Sequence, residues 1–123
     1  MSHQEGFKVA PIKPTVTDKV LQQVDIRVGT ILKVEDIAES DRLVRLVVDF
    51  GDHRRNIFVG MRDERDDVTE IEGEQALFVV NLEPRKMMGE MSEGMLFDIG
   101  YEDGLVPVLA KPELPVPNGA RAG

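Results

Sequence analysis

The sequence predicts an all-β fold, a small barrel of five strands, and three observations predict it. Apolar residues recur at even spacing with charged residues between them, the period of a strand. Gly, Asp and Pro interrupt these stretches at hairpin-like intervals. Only one short segment, TDKVLQQV, carries a helical signature, with Thr17 as its N-cap and Val20, Leu21 and Val24 on one side.

The elements follow in order. The first dozen residues lack any period and, with Pro11 and Pro14 near their end, read as a loose arm. We therefore divide the chain into a flexible arm, 1–14, and a single domain, 15–123, with a C-terminal extension. DIRVGTILKVEDIA is the first strand: Ile26, Val28, Leu32 and Val34 share one face, and Arg27 and Lys33 the other. Gly29 within it signals a bulge or sharp bend of the kind that closes small barrels. LVRLVVDF and RNIFVGM form a second and third strand, joined through a tight turn at Gly51 and Asp52. The acidic segment that follows has only Val68 and Ile71 as apolar anchors, enough for at most one helical turn. QALFVVNL is nearly all apolar and must be buried on both faces, and EGMLFDIG is the next strand. LVPVLA makes a final short strand with Pro107 at an edge, and the tail KPELPVPNGARAG is too rich in Pro and Gly to be regular throughout. A long bent strand, two more, a short helical connector and two further strands are the element order of an OB-type five-stranded barrel.

Composition narrows the function. The chain has 123 residues, 41% hydrophobic and 31% charged, the balance of one globular domain. No stretch approaches the ~18 apolar residues of a membrane span. The first residues lack the basic start and apolar run of a signal peptide, so a cytoplasmic address with no membrane partner is expected. The absence of cysteine excludes disulfides, thiolate zinc sites and a Cys nucleophile. The net charge of −8 opposes a polyanionic ligand, but it is unevenly spread. Arg62–Glu74 carries seven acids and two arginines, while Arg42–Arg62 carries five arginines against Asp49 and Asp52. A basic strip thus precedes an acidic patch, whose carboxylates read as solvated surface.

Catalysis has little to work with. His3 and His53 have no neighbouring ligands at metal-site spacing, and Ser92 has no base at a recognisable motif distance. No phosphate-binding glycine loop is present. We expect no enzyme, metal or cofactor. The most unusual stretch is NLEPRKMMGEMSEGM, Asn81 to Met95, which holds four of the six methionines. As a soft-metal box it lacks interleaved Cys or His, and Met is more often a filler of irregular gaps. As a plain hairpin connection it is long against the usual ~2–5 residues. As a binding surface it offers Arg85 and Lys86 for charge, Asn81 and Ser92 for hydrogen bonds, and methionines as an adaptable apolar floor. Composition alone leaves the Arg-Lys pair open to being ordinary solvated surface.

Three stretches, VDIRVGTILKVEDIAESDRLVRLVVDFGDHRRNIFVGM, ALFVVNLEPRKMMGEMSEGML and PVPNGARAG, together resemble the tRNA-binding domain family. That family includes the C-terminal domain of bacterial methionyl-tRNA synthetases, free-standing structure-specific tRNA-binding proteins and the CsaA-type export chaperone. Asn81, Leu82, Pro84, Arg85, Lys86, Met87, Gly89, Ser92, Gly94 and Met95 fit its long loop pattern. Asp25, Arg27, Val28 and Gly29 fit its first-strand signature. Two stretches depart from the family. IAESDRL stands where members often carry His-Pro-x-Ala-Asp-Lys-Leu, and FVGM stands for Val-Ser-Gly-Ile.

The resemblance implies an OB barrel that dimerises through N- and C-terminal elements flanking it, building a composite surface for the outer corner of folded tRNA. It implies no catalysis and no cofactor. Carried over, it places Asn81, Arg85, Lys86, Met87 and Ser92 at the RNA-facing loop and Arg27 near the binding face. Arg42, Arg54 and Arg55 join these as candidates from the basic strip. The aromatic content of 5% disfavours stacking of single-stranded bases, so folded tRNA is the expected RNA ligand. The alternative is a CsaA-like chaperone for unfolded precursor proteins, to which Asp49-Phe50-Gly51 and the PVPNG tail point. A third is a former synthetase appendage acting in trans, with an aminoacyl-tRNA synthetase as partner.

Overall fold

The computed structural model describes residues 6–123. The first five residues of the arm, His3 among them, lie outside the described residues. Residues 7–17 have no regular structure, and α1 (Asp18–Leu21) follows, capped by Thr17 Oγ1, which accepts from the Val20 N–H at 3.2 Å. In chain order the strands are β1 (Ile26–Asp36), β2 (Val44–Asp49), β3 (Arg54–Val59), β4 (Gln75–Val79), β5 (Arg85–Met87), β6 (Glu90–Ser92), β7 (Met95–Leu96), β8 (Asp98–Ile99), β9 (Val108–Leu109) and β10 (Arg121–Ala122).

The main sheet is antiparallel in the order β3-β2-β1-β4-β7 and curls on itself as an OB-type barrel. Its first half pairing with β4 and its second half with β2, β1 serves two neighbours along one length. The sheet closes where the segment before β7 lies along β3: Glu93 N–H donates to Asn56 O at 2.9 Å, and Phe58 N–H to Ser92 Oγ at 3.0 Å. This also covers the edge of β3, which would otherwise present unpaired backbone groups.

Gly29 and the bulge expected near it are separate features. The register slips between Ile31 and Lys33, leaving Leu32 as the extra residue. The slip inverts part of the expected face: Ile31 is fully buried against the core, whereas Leu32 is only half-buried. Val28 is buried but lies outside the main core cluster, because it is Gly29 that faces β2. The core is built from Ile31, Val44, Leu46, Val48, Ile57 and Phe78, with Ile71 among its largest fully buried side chains. Ile71 comes from the acidic connector, which forms two short 3-10 turns, Arg62–Glu64 and Val68–Ile71, where one turn was expected. Four of its acids are bonded and so do more than face solvent. Asp67 caps Thr69 N–H at 3.0 Å, Glu72 Oε2 accepts from Val34 N–H at 2.8 Å, and Glu70 and Glu74 pair with Arg65 and Lys111.

The Pro- and Gly-rich tail is irregular in conformation yet tightly held. Where β2 leaves β1, β10 takes its place, pairing Ile26 with Ala122 and Arg27 with Arg121. Asn118 Oδ1 accepts from Thr30 Oγ1 at 2.8 Å and Gln75 Nε2 at 3.0 Å. Gly119, with φ of +90°, passes so near Phe50 that a Cβ would sit 2.5 Å from its carbonyl oxygen.

A Cβ on Gly29 would lie 2.5 Å from Val48 Cγ1 and 2.9 Å from Phe50 Cε1. We expect Gly29→Ala to destabilise the fold by about 1–3 kcal/mol through overpacking. Urea unfolding should show a lower midpoint at unchanged slope.

Candidate nucleic-acid interface

The stretch expected to be a long loop is a β-hairpin. Met88 and Gly89, with φ of 50° and 81°, join β5 to β6 in a two-residue turn. Positive φ at both central residues is the type I′ geometry that suits the twist of a hairpin. Met88 is the one non-glycine residue with positive φ among the described residues. The register pairs Arg85 with Ser92, Lys86 with Met91 and Met87 with Glu90. Arg85, Met87, Glu90 and Ser92 therefore share one face, and Lys86 and Met91 the other.

The first face is the one that braces the hairpin against the barrel. Ser92 is buried with its hydroxyl on Phe58 N–H, Met87 is half-buried, and Glu90 pairs with Arg45. Arg45 also bonds Glu35 at 3.2 Å and lies 5.5 Å over the Phe58 ring, so β1, β2, β3 and β6 meet at one guanidinium. Hydrogen bonding to Glu90 raises the Arg45 pKa further, keeping it charged. On this braced support Arg85 and Lys86 are exposed, and neither forms a salt bridge among the described residues.

The remaining candidates divide into bound and free groups. Asn81 joins two segments: its Oδ1 accepts from Asp25 N–H at 2.9 Å and its Nδ2 donates to Gln23 O at 2.7 Å. Arg27 forms a two-pronged pair with Asp25 at 2.9 and 3.0 Å. Arg55 donates to the Val80 and Glu93 carbonyls at 2.6 and 3.1 Å and to His53 Nε2 at 3.0 Å. Arg42 and Arg54 are exposed and carry no salt bridge among the described residues. The basic strip is continuous only in sequence. Arg42 precedes the end of the β2–β3 ladder at Val44 and Val59, whereas Arg54 and Arg55 lie at the other end, beside Asp49 and Val48. At about 3.3 Å per residue, these ends stand roughly 16 Å apart.

Arg27, Arg55 and Asn81 come together around a cleft of about 260 Å³, also lined by Asp25, Phe50, Asp52, His53 and Val80. Arg55 donates to His53 Nε2, so the ring proton belongs on Nδ1, 2.6 Å from Asp52 Oδ1. Hydrogen bonding from His53 lowers the Asp52 pKa, and hydrogen bonding from Arg27 lowers that of Asp25. Sequence reasoning left His53 as a lone turn residue. Its neighbours Asp52 and Arg55 were the available signal, but only the folded hairpin sets both against the ring. No group of three His, Asp or Glu side chains suited to holding a metal ion occurs among the described residues.

Replacing Ser92 with Ala should leave Phe58 N–H without a partner in a buried site and cost about 1–3 kcal/mol, read by urea unfolding. In Arg27→Met the carboxyl of Asp25 loses the partner that lowers its pKa. The stability difference from wild type should be full above the unfolded carboxylate pKa of about 3.9 and vanish as pH falls through the lower folded value. Unfolding curves along an acid series would show it.

A family model described as a putative tRNA binding domain matches residues 26–121. Among solved structures, the MetRS-related protein of Pyrococcus horikoshii is 35% identical, with a TM-score of 0.81, covering 90% of this chain and 100% of that one. The chaperone CsaA of Bacillus anthracis is 25% identical with a TM-score of 0.76, over 89% of this chain and 100% of its own. CsaA of Picrophilus torridus is 26% identical with a TM-score of 0.75, at the same coverage. With the match spanning β1 to β10, this chain belongs to the putative tRNA-binding domain family.

Proposed function

We propose that this protein is a non-catalytic, cytoplasmic tRNA-binding protein that recognises the shape and backbone of folded tRNA as a homodimer. The observation that carries the proposal is the braced hairpin with two exposed cations at its foot, neither of them in a salt bridge among the described residues. Arg27, Arg45, Arg62 and Arg65 are paired with carboxylates, and Arg55 is spent on carbonyls. Arg85 and Lys86 remain available to phosphates on a support whose geometry is set before binding. Arg42 and Arg54 extend the contact at either end of the β2–β3 ladder. The dimer finds support in the exposed apolar residues Val9, Ile12, Val16, Val20, Leu21 and Val24 preceding β1, which no other described residue covers. An aminoacyl-tRNA synthetase served in trans is the partner such a module would suit.

The exposed methionines Met88, Met91 and Met95, with the likeness to two CsaA chaperones, favour a second reading, in which the hairpin holds unfolded precursor proteins.

Binding of total tRNA and of a basic unfolded peptide, each across a salt series, separates the two. We expect tRNA affinity to fall steeply with salt, and Arg85→Ala/Lys86→Ala to reduce the slope of log K against log salt by about two. Tight peptide binding without tRNA binding at low salt would reverse the assignment. Light scattering at micromolar concentration should give the mass of a dimer, and a monomer would remove the composite surface.

A further inference from the structure

Three flat groups are layered in the cleft at one end of the barrel, where β1 and β3 begin and β4 ends. His53 stacks on the Phe50 ring with centroids 5.6 Å apart and planes inclined by 25°, and the Arg55 guanidinium lies 5.8 Å over the same ring. The bond of 3.0 Å from Arg55 Nε to His53 Nε2 joins the two into one platform. Phe50 beneath it is only 3% exposed, whereas the His53 side chain is 46% exposed. The platform thus has one side covered by Phe50 and one side open toward the cleft it lines.

The groups around this platform balance in charge and mix donors with acceptors. Two guanidiniums, Arg27 and Arg55, and two carboxylates, Asp25 and Asp52, line the cleft. Among the described residues Arg27 Nη1, Arg55 Nη2 and Asp52 Oδ2 take no part in a hydrogen bond, and the Asn81 amide uses one of its two N–H groups. The Asp52 pKa is lowered chiefly by hydrogen bonding from His53, and the charge of Arg27 adds to this, so Arg27 and Asp52 stand within electrostatic reach of each other. A phosphate in the cleft would meet both carboxylates, a like-charge contact that is costly. A nucleobase has a flat face and carries donors and acceptors on its edges, so it matches both the platform and the rim. Arg121, the exposed cross-strand partner of Arg27, forms no salt bridge among the described residues. Its charge helps to lower the Asp25 pKa, after the larger effect of hydrogen bonding from Arg27, which places it beside the cleft. There it is available to a phosphate flanking such a base.

We propose that this cleft takes one unstacked base of the bound RNA, seated flat on the His53–Arg55 pair with its edge toward Arg27, Asp52 and Asn81. The inference rests on the reading of the protein as an RNA binder, and it adds a base contact to the backbone contacts of the hairpin. Arg55 also donates to the carbonyl of Glu93, just past β6, so the cleft adjoins the foot of the hairpin and one RNA can touch both. At about 260 Å³ the cleft falls below the roughly 300–1,000 Å³ of pockets for whole ligands, and so suits one ring system rather than a run of bases. A single platform agrees with the low aromatic content, since unpaired loop bases of a folded tRNA supply the ligand.

The test titrates the full chain with each of the common nucleosides and, separately, with ribose phosphate, following the His53 ring and the Asn81 side-chain amide by NMR. Nucleosides should shift both signals, and ribose phosphate neither. His53→Ala should weaken binding of total tRNA about tenfold or more without changing the slope of log K against log salt, whereas His53→Phe should keep the affinity. Unchanged tRNA affinity in His53→Ala, with no shift from any nucleoside, would overturn the proposal and leave the hairpin reading intact. Nucleoside shifts in a protein that binds no tRNA would keep the base site and remove the RNA reading. Phenylalanine amide shifting the two signals where nucleosides do not would assign the cleft to peptides. A fall in mass of His53→Ala by light scattering would assign it to contact between copies of the chain. Either of these two results would overturn the proposal.

Discussion

At Gly29 the chain of β1 runs so close to Val48 and Phe50 that no side chain fits between. That approach lets β1 coil tightly enough to leave β4 for β2 within a single strand. The bulge at Leu32 completes the turn by rotating the following residues, so that Ile31 and Val34 both reach the interior despite their odd spacing. With the strand coiled, Phe78 and Leu46 come from opposite sides of β1 into one core. The tail depends on the same bend, because β10 and Asn118 occupy the stretch of β1 that β2 has vacated.

The candidate interface is a second consequence of closure. Bringing the segment before β7 onto β3 puts Ser92 on Phe58 N–H and sets Glu90 against Arg45. A two-stranded hairpin alone is marginal in water. Here its foot is hydrogen-bonded to the barrel wall, so its cations are presented on a firm base. The same economy applies to charge. Most arginines are held by carboxylates or carbonyls, and the acid-rich connector supplies a cap, a strand ligand and two ion pairs. A net charge of −8 thus coexists with local cationic sites, since counterion release depends on the charges near the phosphates rather than on the total.

Much of this was legible in the residues. The strand period gave β1 to β4 to within a few residues, because alternating burial is a local property of each strand, whereas the single strand expected at EGMLFDIG divides into β7 in the main sheet and β8 in a separate one. The Thr17 cap and the connector's apolar anchor Ile71 were legible for the same reason. What escaped were the features made by distant partners. Leu32 looked like a core residue because a bulge is fixed by the opposing strand. The length of Asn81–Met95 suggested a loop, because the Met88–Gly89 turn breaks the usual Asn-Gly signal. Asn81 and Ser92 looked like free polar groups, yet their hydrogen-bond partners are Asp25 and Gln23 in one case and Phe58 in the other.

By itself the sequence determined the class of fold and the family pattern, which follow from local periodicity and contiguous motif, and it offered the residue types of a candidate interface. Which of those residues are free to meet a ligand was decided only by the tertiary structure. Arg27, Arg55, Arg85 and Lys86 are alike in composition. Two of them are bound within the protein and two have no such partner among the described residues, because a cation's availability depends on the carboxylates and carbonyls that folding brings within hydrogen-bond reach.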